Sequence, residues 1–374
     1  MSYELGVEQK MLKESARDFF SKEMNSALIR ELEEDEKGYS PKIWKKMAKI
    51  GWMGLNVPEE YDGAAATFAD LAAILEEMGH AGYAGPFFST VVLGSSLLLK
   101  GGSEAQKEAL LPKLAQGNHL LTLAYAGQAE PIAAADLPLQ ATAKEDGYVL
   151  NGVSLFVPFA HVADTIICAA RIGSSAEEVS LFLVPKGTAG VAVQELQTMA
   201  ADKQCEVVFD QVRLSRENLL GTAGSGWPVL QAVLREAAVA KCAEMVGGAR
   251  KVLKLTVDYA KKREQFGRPI GSFQAIQHHC ADMLTYLDTS ALITHATCVQ
   301  LAAGIPCDKQ VSMCKSWVSE ANRRLVGLGH QVMGGFGFME EADLQIYYRR
   351  AKAAEQAYGD VARHREIVAA ELGL

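Results

Sequence analysis

The sequence predicts an α+β fold in which helices and strands occupy separate stretches of the chain. Apolar residues recur at helical spacing through residues 1–118, whereas 119–222 holds short apolar runs separated by Gly, Asp, Asn and Pro. Helical spacing returns over 223–374. We therefore expect an N-terminal helical domain, a small central antiparallel β-domain and a C-terminal four-helix bundle with these limits.

The N-terminal segment contains helices with recognisable start signals. We predict helices at Glu8–Phe20, Pro41–Ile50, Phe68–Met78 and Glu104–Gln116. Ser40 precedes a proline at the first helical position, and Ser103 precedes an acidic first turn. Both serines are therefore expected to be N-caps.

The central segment alternates short apolar runs with turn residues, which is typical of a small antiparallel sheet. The predicted strands are His119–Tyr125, Gly147–Leu150, Thr165–Ala170, Val179–Val184, Val191–Glu195 and Glu206–Phe209.

The C-terminal segment shows two long apolar stripes at helical spacing. One consists of Val311, Cys314, Val318, Ala321, Leu325 and Leu328, and the other of Val229, Val233, Ala237, Val252 and Tyr259. Long helices in succession favour an antiparallel bundle.

The composition argues against several classes of protein. The net charge is −8 and no basic tract occurs, so we expect no nucleic-acid partner. The first twenty residues carry acids and lack an apolar core, and no apolar run could span a bilayer, so we expect neither a secretory signal nor membrane insertion. Seven scattered cysteines without CxxC pairs indicate free thiols in a reducing cytoplasm, and the histidines lack metal-site spacing.

Two C-terminal stretches have the character of a ligand site. Arg263, near a helix end beside the aromatic Phe266, suits a planar anionic group such as pyrophosphate, although a solvated helix end would read the same way. Further along, Gly334 and Gly335 would let a ligand approach the backbone closely. These glycines follow a helix rather than a strand, so they are not the dinucleotide-binding fingerprint.

These stretches resemble the two signature regions of acyl-CoA dehydrogenases. The residues concerned are YAKKREQFGRPIGSFQAIQHHCADM from Tyr259 and QVMGGFGFMEEADLQIYYRRAK from Gln331. The segments Gly54–Gly63 and Phe209–Gly221 resemble other parts of the same family. LAYA, DGYVLNG, VADTIICAAR and SLFLVP are similar to a bacterial branch that includes pimeloyl-CoA dehydrogenase small subunits.

The resemblance implies an FAD cofactor held between the β-domain and the C-terminal bundle, with its adenosine half reaching a neighbouring subunit. Arg263 would contact the pyrophosphate and Phe266 would pack near it. Gln331 and the pair Gly334–Gly335 would line the adenosine end. The resemblance therefore implies a homotetramer, or a heterotetramer with a related subunit.

The loops that would face the flavin depart from the family pattern. The family's Thr-Glu-Pro-x-x-Gly-Ser-Asp is replaced after Tyr125, where only Glu130-Pro131 match. Its Trp-Ile-Thr-Asn is replaced by a stretch that contains Phe156 and Pro158. Proline offers neither an N–H nor a hydroxyl, so other donors or packing must hold a flavin there.

The resemblance places the catalytic glutamate at one of two positions, and neither holds one here. The first is Tyr358, too weak an acid to serve as a base near neutral pH, although its backbone N–H could still bind an enolate. The second falls on Ala237 by an ungapped count, one residue from Glu236 and about 100° around the helix. Glu244, two turns on, and the more remote Asp360 are the alternatives.

Two functions follow from the resemblance. The first is an FAD-dependent acyl-CoA dehydrogenase that introduces an α,β double bond into an acyl-CoA and passes electrons to an electron-transfer flavoprotein. The second is a partly or wholly non-catalytic subunit of a heteromeric acyl-CoA dehydrogenase, which supplies half of an interfacial FAD site. A flavin oxidase on the same fold is a third option.

Overall fold

The computed structural model describes residues 6–130, 133–173 and 178–374. The helices are α1 (Val7–Glu23), α2 (Ser26–Glu34), α3 (Pro41–Lys49), α4 (Phe68–Ala81), α5 (Ser95–Gly101), α6 (Glu104–Ala115), α7 (Gly226–Lys262), α8 (Gln274–Ala302), α9 (Asp308–Met333), α10 (Leu344–Gln356) and α11 (Val361–Glu371). The strands are β1 (Leu121–Ala124), β2 (Leu139–Lys144), β3 (Gly147–Pro158), β4 (Thr165–Ile172), β5 (Val179–Pro185), β6 (Val191–Leu196), β7 (Gln204–Ser215), β8 (Leu219–Leu220), β9 (Glu264–Gln265) and β10 (Arg268–Pro269).

The α+β prediction is confirmed, with helices on either side of a central run of strands. Both predicted N-caps are present. Ser40 Oγ accepts a hydrogen bond from the Ile43 amide at 3.3 Å. Ser103 and Gln106 form a reciprocal capping box, which satisfies two amides at the start of α6.

The main sheet has the strand order β6-β7-β3-β2-β4-β5-β8, with β1 paired to β4. Most pairs are antiparallel, as predicted. The pairs β1–β4 and β2–β4 are parallel. They differ from the prediction because strand alternation in a sequence does not reveal direction. The antiparallel strand β3 lies between β2 and β4 in the chain, so β4 returns in the direction of β2.

By the contacts between its residues, the chain divides into two compact units. One, here called the helical unit, comprises the chain up to Arg30, Thr67–Tyr83 and Ala238–Leu374. The other, the sheet unit, comprises Glu31–Ala66 and Ala84–Ala237. The predicted domain limits at 118 and 222 stay a prediction.

Two buried carboxylates on α4 organise the helical unit. The side chains of Glu76 and Glu77 are only 5% and 1% exposed. Arg250 on α7 bridges them, with contacts of 2.8 Å to Glu76 and 2.7 Å to Glu77. The remaining partners are Lys13 at 2.6 Å and His295 at 3.3 Å from Glu76, and Arg17 at 3.0 Å from Glu77. Helices α1, α4, α7 and α8 therefore meet at one charge cluster.

The cluster holds Glu76 ionised despite its burial. Burial raises the pKa of this carboxyl, but the hydrogen bond from His295 and the charges of Lys13 and Arg250 outweigh it and lower the pKa to about 2. Buried carboxylates persist only when such partners replace the water they lost.

Two glycines let α4 and α7 approach closely beside this cluster. A Cβ on Gly79 would lie 1.9 Å from the Glu244 carbonyl oxygen, and one on Gly247 would lie 1.8 Å from the Glu76 carbonyl oxygen. Only glycine fits at either position, so the backbones touch and Arg250 is brought within reach of both carboxylates.

Replacing Arg250 with Met should destabilise the protein strongly, because two buried carboxylates lose their shared partner. We expect a loss of about 3–5 kcal/mol in the free energy of unfolding, measured by urea denaturation. The matched control is Lys254→Met on the same helix, which removes an exposed pair with Asp258 and should change little. Equal effects of the two substitutions would contradict the role given to the cluster.

Stability should also fall as the pH drops from about 6.5 towards 4. Burial, with a smaller contribution from Arg250, lowers the pKa of His80 to about 4. The unfolded chain takes up this proton near pH 6.5 and the folded chain resists it, so protons favour unfolding within that window. His80→Gln should flatten the plot of melting temperature against pH, whereas His278→Gln, at an exposed position on α8, should leave its slope unchanged.

Candidate cofactor and active site

The Arg263 motif forms a tight hairpin at the end of α7. β9 and β10 pair antiparallel, and Phe266 and Gly267 form the two-residue connection. Their φ angles are 54° and 77°. Two positive φ values in a two-residue loop indicate a type I′ turn. The helix α7 ends at Lys262, so Arg263 lies at the helix end as expected, exposed at the entry to the hairpin.

Phe266 is held in a costly backbone conformation. A left-handed φ costs a residue with a side chain about 1–2 kcal/mol, and the ring is 92% exposed, so burial returns little of that. Its ring meets Phe273 edge-on at 6.0 Å, and the Arg268 guanidinium lies 4.2 Å above the same Phe273 ring. An exposed aromatic on a strained turn is typical of a ligand-binding position.

The second motif begins at Gln331 in the last turn of α9, and the exposed backbone of Gly334 and Gly335 follows the helix. Gln331, Gly334 and Gly335 are exposed, and no atom lies within 4 Å of where a Cβ on either glycine would stand. The ring of Phe336 stacks on that of Tyr259, with centroids 5.6 Å apart and planes 6° apart. This contact joins the glycine pair to the last turn of α7, so the helical unit brings both predicted motifs together.

The flavin-facing candidates of the sheet unit also lie together. Phe156 falls at an irregularity in the β3–β7 pairing and has a φ of 55°. Thr122 Oγ1 donates to the Pro158 carbonyl at 2.5 Å, which ties β1 to the end of β3. Tyr125, at the exit of β1, is buried and its hydroxyl lies 3.0 Å from Glu130 Oε1. Pro131, the other half of the matching Glu-Pro pair, lies outside the described residues.

Of the three candidate catalytic carboxylates, Glu236 and Glu244 are engaged in ion pairs, and Asp360 is the N-cap of α11. Glu236 Oε1 lies 2.8 Å from Lys100 Nζ in the sheet unit. Glu244 Oε2 lies 2.6 Å from Lys241 Nζ in the helical unit. Each glutamate is partly exposed, whereas Ala237, the position reached by the ungapped count, is fully buried. The catalytic role of either glutamate stays a prediction.

Tyr358 lies in the turn between α10 and α11 with a φ of 60°. Sequence reasoning missed two buried residues that hold this turn. His364 Nε2 lies 2.9 Å from the Tyr358 carbonyl oxygen, and Lys315 Nζ lies 3.0 Å from each of the Ala354 and Glu355 carbonyl oxygens. Lys315 had a visible signal, since it lies four residues after Val311 and three before Val318 and so falls on the buried stripe of α9.

Comparison with known sequences gives the family. Sequence profiles of acyl-CoA dehydrogenases match the N-terminal domain over residues 7–118, the middle domain over 126–212 and the C-terminal domain over 224–373. Acryloyl-CoA reductase (NADH) from Anaerotignum propionicum is 30% identical over 383 residues, covering 100% of this chain and 96% of the relative. An acyl-CoA dehydrogenase from Bacillus subtilis (strain 168) is 32% identical over 356 residues, covering 93% of each.

Comparison with solved structures shows that the fold is shared with proteins of this kind. A chain of the ChsE4–ChsE5 complex from Mycobacterium tuberculosis matches with a TM-score of 0.91 at 25% identity, covering 100% of this chain and 99% of the other. The FAD complex of PigA matches with a TM-score of 0.89 at 26% identity, covering 100% of both chains. This chain belongs to the acyl-CoA dehydrogenase family. It is an FAD-dependent oxidoreductase that acts on acyl-CoA.

The residues of the helical unit fit this cofactor chemically. An exposed guanidinium at Arg263 and an exposed aromatic at Phe266 suit a dinucleotide with an anionic pyrophosphate. The side-chain-free backbone at Gly334 and Gly335 leaves room for a ligand to lie against it.

Three further findings concern the described residues alone. Among them, no helix is long and apolar enough to cross a membrane. Within the same ranges, no group of three His, Cys, Asp or Glu side chains is arranged to hold a metal ion. All seven cysteines lie in this part of the chain and are free thiols.

Phe266→Gly should stabilise the cofactor-free protein against unfolding and should weaken the binding of FAD. Glycine relieves the left-handed strain, worth about 1 kcal/mol, but removes the exposed ring. Ala201→Gly is the matched control, because Ala201 has the same φ of 54° in the sheet unit. It should stabilise the protein without changing flavin retention.

Melting temperature without flavin and the dissociation constant for FAD are the two measurements. A Phe266→Gly protein that binds FAD as tightly as the original chain would show that the strained ring has no part in the site.

Proposed function

We propose that the chain catalyses α,β-dehydrogenation of an acyl-CoA thioester and passes the electrons to an electron-transfer flavoprotein. The observation that carries the proposal is the pair of family motifs folded together in the helical unit, with Arg263 and Phe266 on one strained hairpin. Gln331, Gly334 and Gly335 are proposed to bind the adenosine end of FAD. Tyr125, Phe156 and Pro158 are proposed to lie near the flavin.

FAD, when bound, supplies the redox step by accepting the hydride that leaves the acyl β-carbon. The protein has to remove the α-proton with a positioned carboxylate and to stabilise the negative charge that develops on the thioester oxygen. A backbone N–H is a suitable donor for that oxygen, and the Tyr358 N–H is proposed for this role. These two functions define the residues to test.

Glu236 is proposed as the base, with Glu244 as the alternative. Glu236 neighbours the fully buried Ala237 and is itself only partly exposed, so one residue along α7, about 100° around the helix, separates a core position from an accessible one. Its ion pair with Lys100 orients the carboxylate. Glu244 is paired with a residue of its own helix.

The proposed working form is an oligomer. Large apolar side chains remain exposed on α8 and α9 of the helical unit, namely Leu284, Leu292, Met313 and Trp317. Trp317 Nε1 donates to Thr289 Oγ1 at 3.2 Å, which places these two helices side by side at the surface. Burial of this apolar surface by another subunit is the simplest account of it. A tetramer in the cytoplasm is the proposed arrangement.

Glu236→Gln should slow flavin reduction by acyl-CoA by about 100-fold or more while leaving the flavin bound, because only proton removal is affected. The measurement is anaerobic stopped-flow bleaching of the flavin band with straight-chain, branched, cyclic, aromatic and dicarboxylic acyl-CoAs. Glu244→Gln is the matched control and should change the rate constant by less than about threefold.

The opposite ranking would transfer the base to Glu244. If the original flavin-loaded chain is not bleached by any of these thioesters, the proposed dehydrogenation is wrong.

A second function is favoured by a specific observation, the tyrosine at the position where the family resemblance places a catalytic glutamate. The chain would then be a non-catalytic subunit that lends Arg263, Gln331 and Gly335 to FAD bound mainly by a partner. The ChsE4–ChsE5 structure is a complex of two differently named chains, which gives a precedent for such pairing. Purification of this chain alone as a flavin-loaded homotetramer would exclude the subunit function.

A further inference from the structure

The turn that carries Tyr358 is fixed by a buried histidine on the next helix. His364 lies four residues into α11, is 6% exposed, and reaches back so that its Nε2 lies 2.9 Å from the Tyr358 carbonyl oxygen. Its other ring nitrogen, Nδ1, lies 3.2 Å from Ser312 Oγ on α9. A single side chain therefore connects the turn to the interior of the helical unit.

The two partners determine which nitrogen of His364 carries the proton. A carbonyl oxygen can only accept, so Nε2 must donate to Tyr358. In the neutral ring Nδ1 then accepts, and the Ser312 hydroxyl donates to it. Burial lowers the pKa of His364 to about 4, so this neutral form persists at physiological pH.

The charged groups around the His364 ring have opposing effects on its pKa. Lys315 on α9 and Arg363 on α11 oppose a positive charge on His364, and Asp360 at the start of α11 favours one. Asp360 is itself engaged as the N-cap of α11, accepting from the Arg363 amide at 2.8 Å. The histidine is therefore a fixed hydrogen-bond donor rather than a group that changes charge between pH 6 and 8.

The His364 ring packs so closely against the Tyr358 turn that the next residue must be glycine. Gly359 has a φ of 93°, and a Cβ there would lie 2.7 Å from His364 Nε2. Tyr358 takes up its left-handed conformation immediately before this glycine. On the other side of the turn, Lys315 binds the last carbonyls of α10. Both ends of the segment 354–359 are thus anchored by buried donors.

We propose that His364, held by Ser312, is a positioning residue for the Tyr358 backbone. By binding the Tyr358 carbonyl it fixes the left-handed conformation of this residue, and that conformation aims the Tyr358 N–H, on the preceding peptide, at the thioester oxygen of the substrate. This inference deepens the proposed function and rests on it for the substrate. A donor that is already oriented costs no reorganisation when charge develops, which is where such donors act. Tyr358 therefore contributes through its backbone at a position that lacks a carboxylate.

The first test is independent of catalysis. Hydrogen–deuterium exchange of the flavin-loaded protein is followed in peptides that cover residues 356–362. His364→Leu should increase exchange at this turn by about tenfold or more, and His364→Gln, which keeps an N–H in place of Nε2, should restore protection. His119→Leu is the matched control, because His119 is a half-buried histidine of the sheet unit with one hydrogen bond, to Thr165.

The second test uses the flavin. At a temperature where all variants are folded, His364→Leu should lower the rate constant for bleaching by acyl-CoA by about tenfold or more. The acyl-CoA concentration for half-maximal rate should change by less than about threefold, and His364→Gln should return the rate constant to near its original value. If His364 had a purely structural role, His364→Leu and His364→Gln would both lower the melting temperature. They would not lower the rate constant selectively while leaving the half-maximal concentration unchanged.

The outcomes distinguish the two proposals. Unchanged exchange at 356–362 in His364→Leu would overturn the positioning role, whatever the activity. Increased exchange together with an unchanged bleaching rate would also overturn the positioning role, because loosening the turn would then have no effect on the reaction. If the original chain is not bleached by any acyl-CoA, the dehydrogenation proposal fails, and the positioning role for that reaction fails with it while the exchange result still reports the contact.

Discussion

The helical unit depends on one buried electrostatic constraint, the Arg250 guanidinium shared between Glu76 and Glu77. Lys13 and His295 also contact Glu76, and Arg17 also contacts Glu77, but Arg250 is the partner that joins the two carboxylates. The close glycine contacts between α4 and α7 serve this bridge. Because α7 is fixed there, its C-terminal end is fixed as well, and that end leads directly into the hairpin that carries the proposed pyrophosphate residue.

Three residues of the proposed site have left-handed backbone conformations. Among the described residues, eight non-glycine residues have a left-handed φ, and Phe156, Phe266 and Tyr358 are three of them. Each was selected from the sequence for a different reason. Strained conformations persist only where the surrounding contacts enforce them, and the His364 and Thr122 hydrogen bonds are such contacts at Tyr358 and beside Phe156.

Local signals predicted local structure well. The caps at Ser40 and Ser103, the apolar stripe of α9 and most strands follow from periodicity and turn residues. The strand β2 was not predicted: its residues 139–144 alternate between apolar and polar, but two of the three apolar positions are alanine, which is depleted in strands. The parallel pairing of β4 was not predicted either, because alternation does not reveal strand direction. Nor could the sequence reveal that Glu236 pairs with Lys100, because that contact joins residues far apart in the chain. Long-range partners decide which carboxylates remain available for chemistry, and single-sequence patterns carry no information about them.

The proposed dehydrogenation requires that this chain by itself form a complete FAD site. Native mass spectrometry of the purified chain, reconstituted with excess FAD and then desalted, tests it directly by counting flavins per assembly. We expect a homotetramer with one FAD per chain. A homogeneous assembly that retains no flavin, and acquires it only when a related chain is added, would contradict the claim and establish the subunit function instead.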